Sequence, residues 1–445
     1  MKKRSVITVT VVFFTLWFAV GTGNTAAAQS SSTNDIEALY RKGLAAYKTS
    51  DYKTFLECFQ RLDTMLANHP TIMYNLAAAY SLNNQPEKAL LYLNRLIIID
   101  ANPKIAADKD FDPIRPTPGF KEILSRVKEL QKPLSTSKVA FIVKERDLHP
   151  ESIAYDPKSD TFYLSSVHKR KIVSIDKNGA VTDFTTEGQD GLDAVLGIRI
   201  DAANRILWAS CAASRYMKGY NEAADKGRTG VFKYHPDSKK LVKKYILQEG
   251  EDHAFDDVVP HPNGDVYVSD ERSIYRIPAA TDQLEPAVRN PGFYSIQGLD
   301  FCGSGEKMLA ADYVSGVFLI EVATAKVLAE VAHPQDISLK GIDGLYYHQK
   351  SNSLVAIHNG LNPQRVMQYF LSSDFTRVVD YRVMDRANPV FNEPTLGVVV
   401  GDTFYYIANS QWKGYDKNFA ILPVEQLQDI IILEAPIGAG SPELR

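Results

Sequence analysis

The sequence reads as a six-bladed β-propeller carried behind a short α-helical solenoid, a mainly β protein with an N-terminal α region. Two observations lead there. The hydrophobic period is helical over residues 36–130, and it changes to two from Lys138 onward, where one strand–turn–strand pattern recurs six times. In addition, 445 residues with 45% hydrophobic and 23% charged side chains can bury a core of that size and lie far from disordered or fibrous compositions.

At the start, Lys2, Lys3 and Arg4 precede the apolar run Val6 to Val20, and small residues at Ala26 and Ala28 precede Gln29. This is the pattern of a secretory signal peptide over residues 1–28. The apolar run is shorter than the ~20 residues needed to span a bilayer, and no later segment is long enough, so no membrane span is expected after its removal. Its loss takes the formal charge from −3 to −6, which argues against a nucleic-acid partner. Cys58, Cys211 and Cys302 stand far apart in apolar contexts, which predicts buried free thiols rather than a disulfide framework. Export without disulfides points to a bacterial periplasm or cell exterior.

A polar spacer, residues 29–35, leads into two helical units over 36–130. Gly43 and Ala77, small residues suited to the close approach of paired helices, lie 34 residues apart, and Phe55 and Ala89 repeat the spacing at the next contact position. The segment resembles tetratricopeptide repeats, with DKDFDPIRPTPGFKEILSRVKEL as a degenerate capping unit. So short an array should lean on its neighbour. Such a unit serves either as a docking appendage or as a groove for a protein ligand, and nothing in its residues decides between them.

After a linker, 131–137, the six copies run through 138–434, with 435–445 as a tail. They open at Glu151, Leu196, Asp256, Gln297, Asp343 and Pro394, which are 45, 60, 41, 46 and 51 residues apart, one four-stranded blade each. Turn signals such as DPKSD, HPNGD and GSGEK punctuate them. The polar insertion SRYMKGYNEAADKGRTG fills the long gap after the second. Because an open ring would leave unpaired strand edges, the β-prone run Val139–Val143 is expected to complete the sixth blade.

The residue opening each copy should face the central channel. Three carboxylates and one amide thereby share a level: Glu151, Asp256, Asp343 and Gln297. Close-packed carboxylates need a cation or a proton, and an oxygen-only set suits a hard divalent ion, Ca²⁺ first and Mg²⁺ or Mn²⁺ as alternatives. Within the pair Asp256-Asp257, alternation along a strand turns Asp256 to the channel and Asp257 into the blade as scaffold. The second strands add an outer ring of His168, Asp270, Asp312, His358 with Asn359, and Asn409. His358 and His253 are acid–base candidates by residue type, and Glu393 is a further acid near the sixth blade.

The stretches HPESIAYD, FDDVVPHPNGDVYVSD, IQGLDF and GIDGLYYHQ resemble the senescence marker protein, gluconolactonase and strictosidine synthase-like superfamily, six-bladed propellers of which many are metal-dependent lactonases. The resemblance spans Lys138 to Glu434. It implies a channel cation held by Glu151, Gln297 and Asp343, with Asp256 near metal and substrate. Two departures stand out: Gln297 replaces the family's Asn, and Asp256 replaces a neutral amide. His253-Ala254 also stands where sugar-lactonases often place a basic substrate contact. The resemblance implies metal-assisted hydrolysis of a small lactone or ester, with Asp343 or Asp256 drawing a proton from water. The competing expectation is a non-catalytic module that binds protein or carbohydrate through propeller and helices together.

Overall fold

In the computed structural model, residues 24–176, 179–247 and 253–439 are described, with side chains from residue 35 onward. Residues 1–23, most of the expected leader, lie outside the described residues, as do 440–445. Among the described residues no helix is long and apolar enough to cross a membrane.

Five α-helices come first: Asn24–Lys48, Tyr52–Met65, Pro70–Leu82, Pro86–Ile99 and Pro118–Leu130. Asp51 caps the second through the Thr54 N–H, and prolines open the next three, where the missing N–H has no intrahelical partner to lose. A Cβ at Gly43 would come within 2.8 Å of the Phe59 ring, so this position needs glycine for the first two helices to meet. Ala77 and Ala89 are fully buried at the corresponding contacts. The helices share a core of their own, which includes Phe55, Phe59, Leu76, Leu93 and Phe111.

Six antiparallel sheets follow as blades, five of four strands and one of five. Their innermost strands are Ile153–Asp156, Ala194–Asp201, Val258–Pro260, Ile296–Cys302, Ile342–His348 and Gly397–Val400, one for each repeat of the sequence. The sixth blade takes its outermost strand from the front of the chain: Lys138–Val143 pairs antiparallel with Ile430–Pro436. This is the closure expected of Val139–Val143. The linker goes further than expected, because Leu134 and Ser135 pair with Arg386 and Asp385 and add a fifth strand to blade 5.

Blade 5 also carries the helical unit. The Asn362 backbone exchanges hydrogen bonds with Ile99 and Ala101 at 2.9 and 2.8 Å, and the Arg386 guanidinium reaches the Glu129 carbonyl at 3.1 Å. The short helical array thus leans on the propeller. All three cysteines are buried free thiols, as their apolar surroundings predict.

Around the channel the inner strands are tied blade to blade. Ser152 Oγ donates to the Ile198 carbonyl, the Gly197 N–H to the Asp256 carbonyl and the Leu299 N–H to Asp257. The Tyr347 N–H donates to Asp300, the Gly397 N–H to Tyr346 Oη and the Leu396 N–H to the Glu151 carbonyl. Each link joins neighbouring blades and the last returns to blade 1. The circuit requires small residues at close approaches: a Cβ on Gly197 would lie 2.4 Å from the Asp256 carbonyl oxygen.

Candidate functional site

At three of the six openings the strand register slips. The irregularity falls at Leu196-Gly197 in blade 2, at Gln297 in blade 4 and at Asp343 in blade 5. A bulge of this kind re-aims one side chain without breaking the sheet. The column read from the sequence therefore sits on repeated local distortions as well as on strand alternation.

Glu151, Asp256 and Asp343, from blades 1, 3 and 5, act on one another electrostatically. Burial holds the Glu151 carboxyl well above the ordinary range, and the charges of Asp343 and then Asp256 push it further. Asp256 is raised by burial and then by Asp343 and Asp257. Asp343 is pushed up to about 7, chiefly by burial; a hydrogen bond from Asn359 opposes the shift, while Glu393 and Asp257 add to it. Glu151 Oε2 accepts from Trp412 Nε1 at 3.0 Å and from Ser410 Oγ at 3.2 Å. Behind Asp343 runs a short relay: Tyr313 Oη donates to Asn359 Oδ1 at 3.1 Å, and Asn359 Nδ2 donates to Asp343 Oδ2.

The other predicted residues divide. Gln297 is half-buried and donates its amide N–H to Ser295 Oγ at 2.8 Å. Glu393 is held high by burial, and its charge acts on Asp343, Tyr313 and Tyr216, so it belongs to the mouth. His358 is corrected: it is completely buried inside blade 5, with Nδ1 on the Lys340 carbonyl at 2.9 Å and Nε2 on Tyr369 Oη at 2.8 Å. Burial pushes its pKa down to about 3, so it is a neutral packing residue and no acid–base catalyst. His253 pairs with Asp270 at 2.8 Å, and His168 Nδ1 lies 3.0 Å from the Tyr216 carbonyl. Asp312 accepts four loop backbone N–H groups and Asn409 bridges the Asp429 carbonyl and the Ile431 N–H, which makes both of them scaffold.

Below the acids lies a tier that the sequence reading missed. Arg199 of blade 2, its side chain 14% exposed, pairs with Asp257 Oδ2 at 3.1 Å and stacks on Tyr346 of blade 5 at 4.5 Å. Asp257 also accepts the Leu299 N–H of blade 4 at 3.2 Å and the Val258 N–H of its own blade at 2.9 Å, so it is scaffold that reaches two other blades as well as its own. Asp300 shares the tier, raised by burial to about 6 against the pull of Arg199. The signal was present in LGIRID, where a lone arginine interrupts an apolar inner strand. Trp412 and Ser410 were missed because the last loop, NSQWKGYDKNF, lies outside the repeated pattern.

No family model matches the chain, and no curated protein matches it. Among solved structures, it is similar to a gluconolactonase from Xanthomonas campestris at 11% identity, covering 70% of this chain and 92% of that one, with a TM-score of 0.46. It is similar to regucalcin, a calcium-binding protein from Agrobacterium tumefaciens, at 15% identity over 68% of this chain and 96% of that one, with a TM-score of 0.45. The RRP9 WD40 repeats match equally well, at 9% identity over 69% of this chain and 100% of that one, with a TM-score of 0.45.

Proposed function

We propose that the channel mouth binds a divalent cation, Ca²⁺ by preference and Mg²⁺ or Mn²⁺ as alternatives, and hydrolyses an uncharged lactone or related ester outside the cytoplasm. The observation that carries this reading is the mutual repulsion of Glu151 and Asp343, which are buried, and Asp256, which is half-buried, each held above its ordinary range. Burial and mutual repulsion both disfavour their charged forms, a positive charge joining them would offset both, and their hard oxygen donors are of the type that alkaline-earth ions prefer. Glu151, Asp343, Asp256 and the carbonyl oxygen of Gln297 are the groups that would hold it. Bound there, the cation would supply Lewis-acid polarisation of a carbonyl.

The chain's own groups provide the rest. Asp343, near 7, is matched to accept a proton from water at neutral pH, and Asn359 fixes one of its oxygens so that the other faces the proton. Ser410 and Trp412 fix Glu151 in the same way. Asp256 is the alternative proton acceptor.

A second reading, a non-catalytic binding module, is favoured by one observation. Among the described residues, no three His, Cys, Asp or Glu side chains are already gathered as a metal-holding group. Elemental analysis of the wild type beside Asp343→Ala, each equilibrated with millimolar calcium or manganese, separates the two. The first reading expects a stoichiometric divalent ion in the wild type, its loss from a folded Asp343→Ala, and turnover within a lactone and ester panel. A wild type that stays metal-free overturns it. In that case a pull-down should capture a partner whose binding requires residues 36–130.

A further inference from the structure

Two loops that the blades do not need for closure meet beside the acids. The insertion after the second strand of blade 2 brings Tyr216, and the loop within blade 6 brings Trp412, Tyr415 and Phe419. Tyr216 packs edge-on against all three, at 4.9, 4.9 and 5.2 Å between ring centroids. His149, two residues before Glu151, completes the cluster with its ring 4.3 Å from Trp412. His149 holds a left-handed backbone, φ 48°, which is costly for a residue other than glycine and which turns its ring toward these loops.

We propose that this aromatic roof is the substrate subsite of the mouth, that it takes the flat apolar face of an uncharged ring ester, and that Trp412 is the positioning residue tying it to Glu151. Three observations support the assignment. Tyr216, Trp412 and Tyr415 are only half-buried and Phe419 is 36% exposed, so ring faces remain for a ligand. Two polar atoms at the same place, His149 Nε2 and Glu393 Oε2, are buried with no hydrogen-bond partner, and a bound molecule carrying donor and acceptor groups would satisfy them. Finally, Trp412 faces both ways: its ring belongs to the roof while its N–H holds Glu151 Oε2 at 3.0 Å.

The ligand should be uncharged because the floor is acidic. Glu151, Asp256, Asp343 and Glu393 would repel an anion. Arg215 at the roof's edge is paired with Glu222 at 3.1 Å and stacked on Phe419, and Lys413 beside Glu393 is exposed. Aromatic faces favour a flat, apolar ring over a branched or charged one.

The ester bond in this proposal rests on the hydrolase reading above; the ring-binding roof does not. The test therefore reads binding and turnover separately, on the full chain, with dihydrocoumarin as the uncharged probe and a carboxylated analogue of the same ring as the anionic one. Dihydrocoumarin should change the tryptophan fluorescence of the wild type, and the change should vanish in Trp412→Phe. Tyr216→Ala should weaken that binding about tenfold and, where turnover occurs, raise KM by the same factor with little change in kcat. The anionic analogue should bind at least tenfold more weakly. In Trp412→Phe the stack on the ring persists but Glu151 loses its N–H donor, so calorimetric calcium affinity should fall about tenfold. Binding without turnover retains the subsite and removes the hydrolase reading. Turnover with KM unaltered in Tyr216→Ala, equal binding of the anionic analogue, or no fluorescence response in the wild type each overturns the subsite.

Discussion

Asp257→Ala should destabilise the propeller by about 3–5 kcal/mol, the cost typical of stranding one member of a buried ion pair. Arg199 would lose its 3.1 Å partner while remaining buried beneath the acid ring, with Asp300 and the Tyr346 face as its remaining company. Two backbone donors would be stranded as well, the Val258 and Leu299 N–H groups that Asp257 now accepts at 2.9 and 3.2 Å. The Leu299 contact joins blade 3 to blade 4, so the loss falls on the ring itself. The effect is to be read from the urea midpoint, followed through the fluorescence of Trp208, which is buried in blade 2. Arg199→Met should cost less than Asp257→Ala, because Asp300, already near 6, can take up a proton when the guanidinium is gone. In the double variant no charge is left stranded between this pair, and its destabilisation should fall short of the sum of the singles by about 2 kcal/mol. Additive singles costing under about 1 kcal/mol each would show that the tier merely fills space.

The contrast between Asp256 and Asp257 shows what the sequence could and could not reveal. Two acids in a row at the head of a strand announce a task, and alternation separates their directions, so the scaffold role of Asp257 was legible. The scaffold partner was not, because Arg199 lies 58 residues away and its meeting with Asp257 depends on ring closure. The six blades were readable since each is a local repeat, and the clasp since an open edge is costly. His358 failed for an equally physical reason. It ends an inner-blade strand as the outer-ring residues do, but the register of that strand places it under Lys340 and against Tyr369, inside the packing. Residue type marks a histidine as able to titrate, whereas only burial reveals whether it does. The aromatic roof was hidden in the two stretches that break the repeat. YMKGY in the insertion, through its first tyrosine, and WKGY in the last loop carry its rings, and departures from a repeat are where a propeller adds its own chemistry.

Stripped of divalent ions, the wild type should lose stability relative to Asp343→Asn as pH rises from about 4 to about 7. In the unfolded chain Asp343 releases its proton near the ordinary aspartate value of 3.8, whereas in the folded protein it keeps it to about 7. Across that window the folded state binds more protons at Asp343, so its contribution to stability falls with rising pH; the span corresponds to at most about 4 kcal/mol for this one group. Glu151 and Asp256 are raised for the same reasons and act with the same sign. Exposed acids held low by their neighbours, such as Asp374 near 2, act with the opposite sign but only below the unfolded carboxylate range. The buried His149 and His358, both pushed down to about 3, oppose Asp343 up to about pH 6.5, but equally in the wild type and in Asp343→Asn, so the difference between the two proteins isolates the carboxyl. Asp343→Asn removes the titrating group without removing its bulk, and the Tm of its chelated form should climb relative to that of the chelated wild type as pH rises through this window. Saturating calcium should reverse the wild-type loss relative to Asp343→Asn, because an ion that binds the folded state alone adds about 2.7 kcal/mol at a hundredfold excess over Kd. Protons and the cation then compete for one set of oxygens, and calcium should stabilise strongly at pH 7 and weakly at pH 4.5. A chelated wild type as stable at pH 7 as at pH 4.5, with Asp343→Asn indistinguishable from it, would mean that the three carboxyls do not share a field, and the cation would lose its reason to bind.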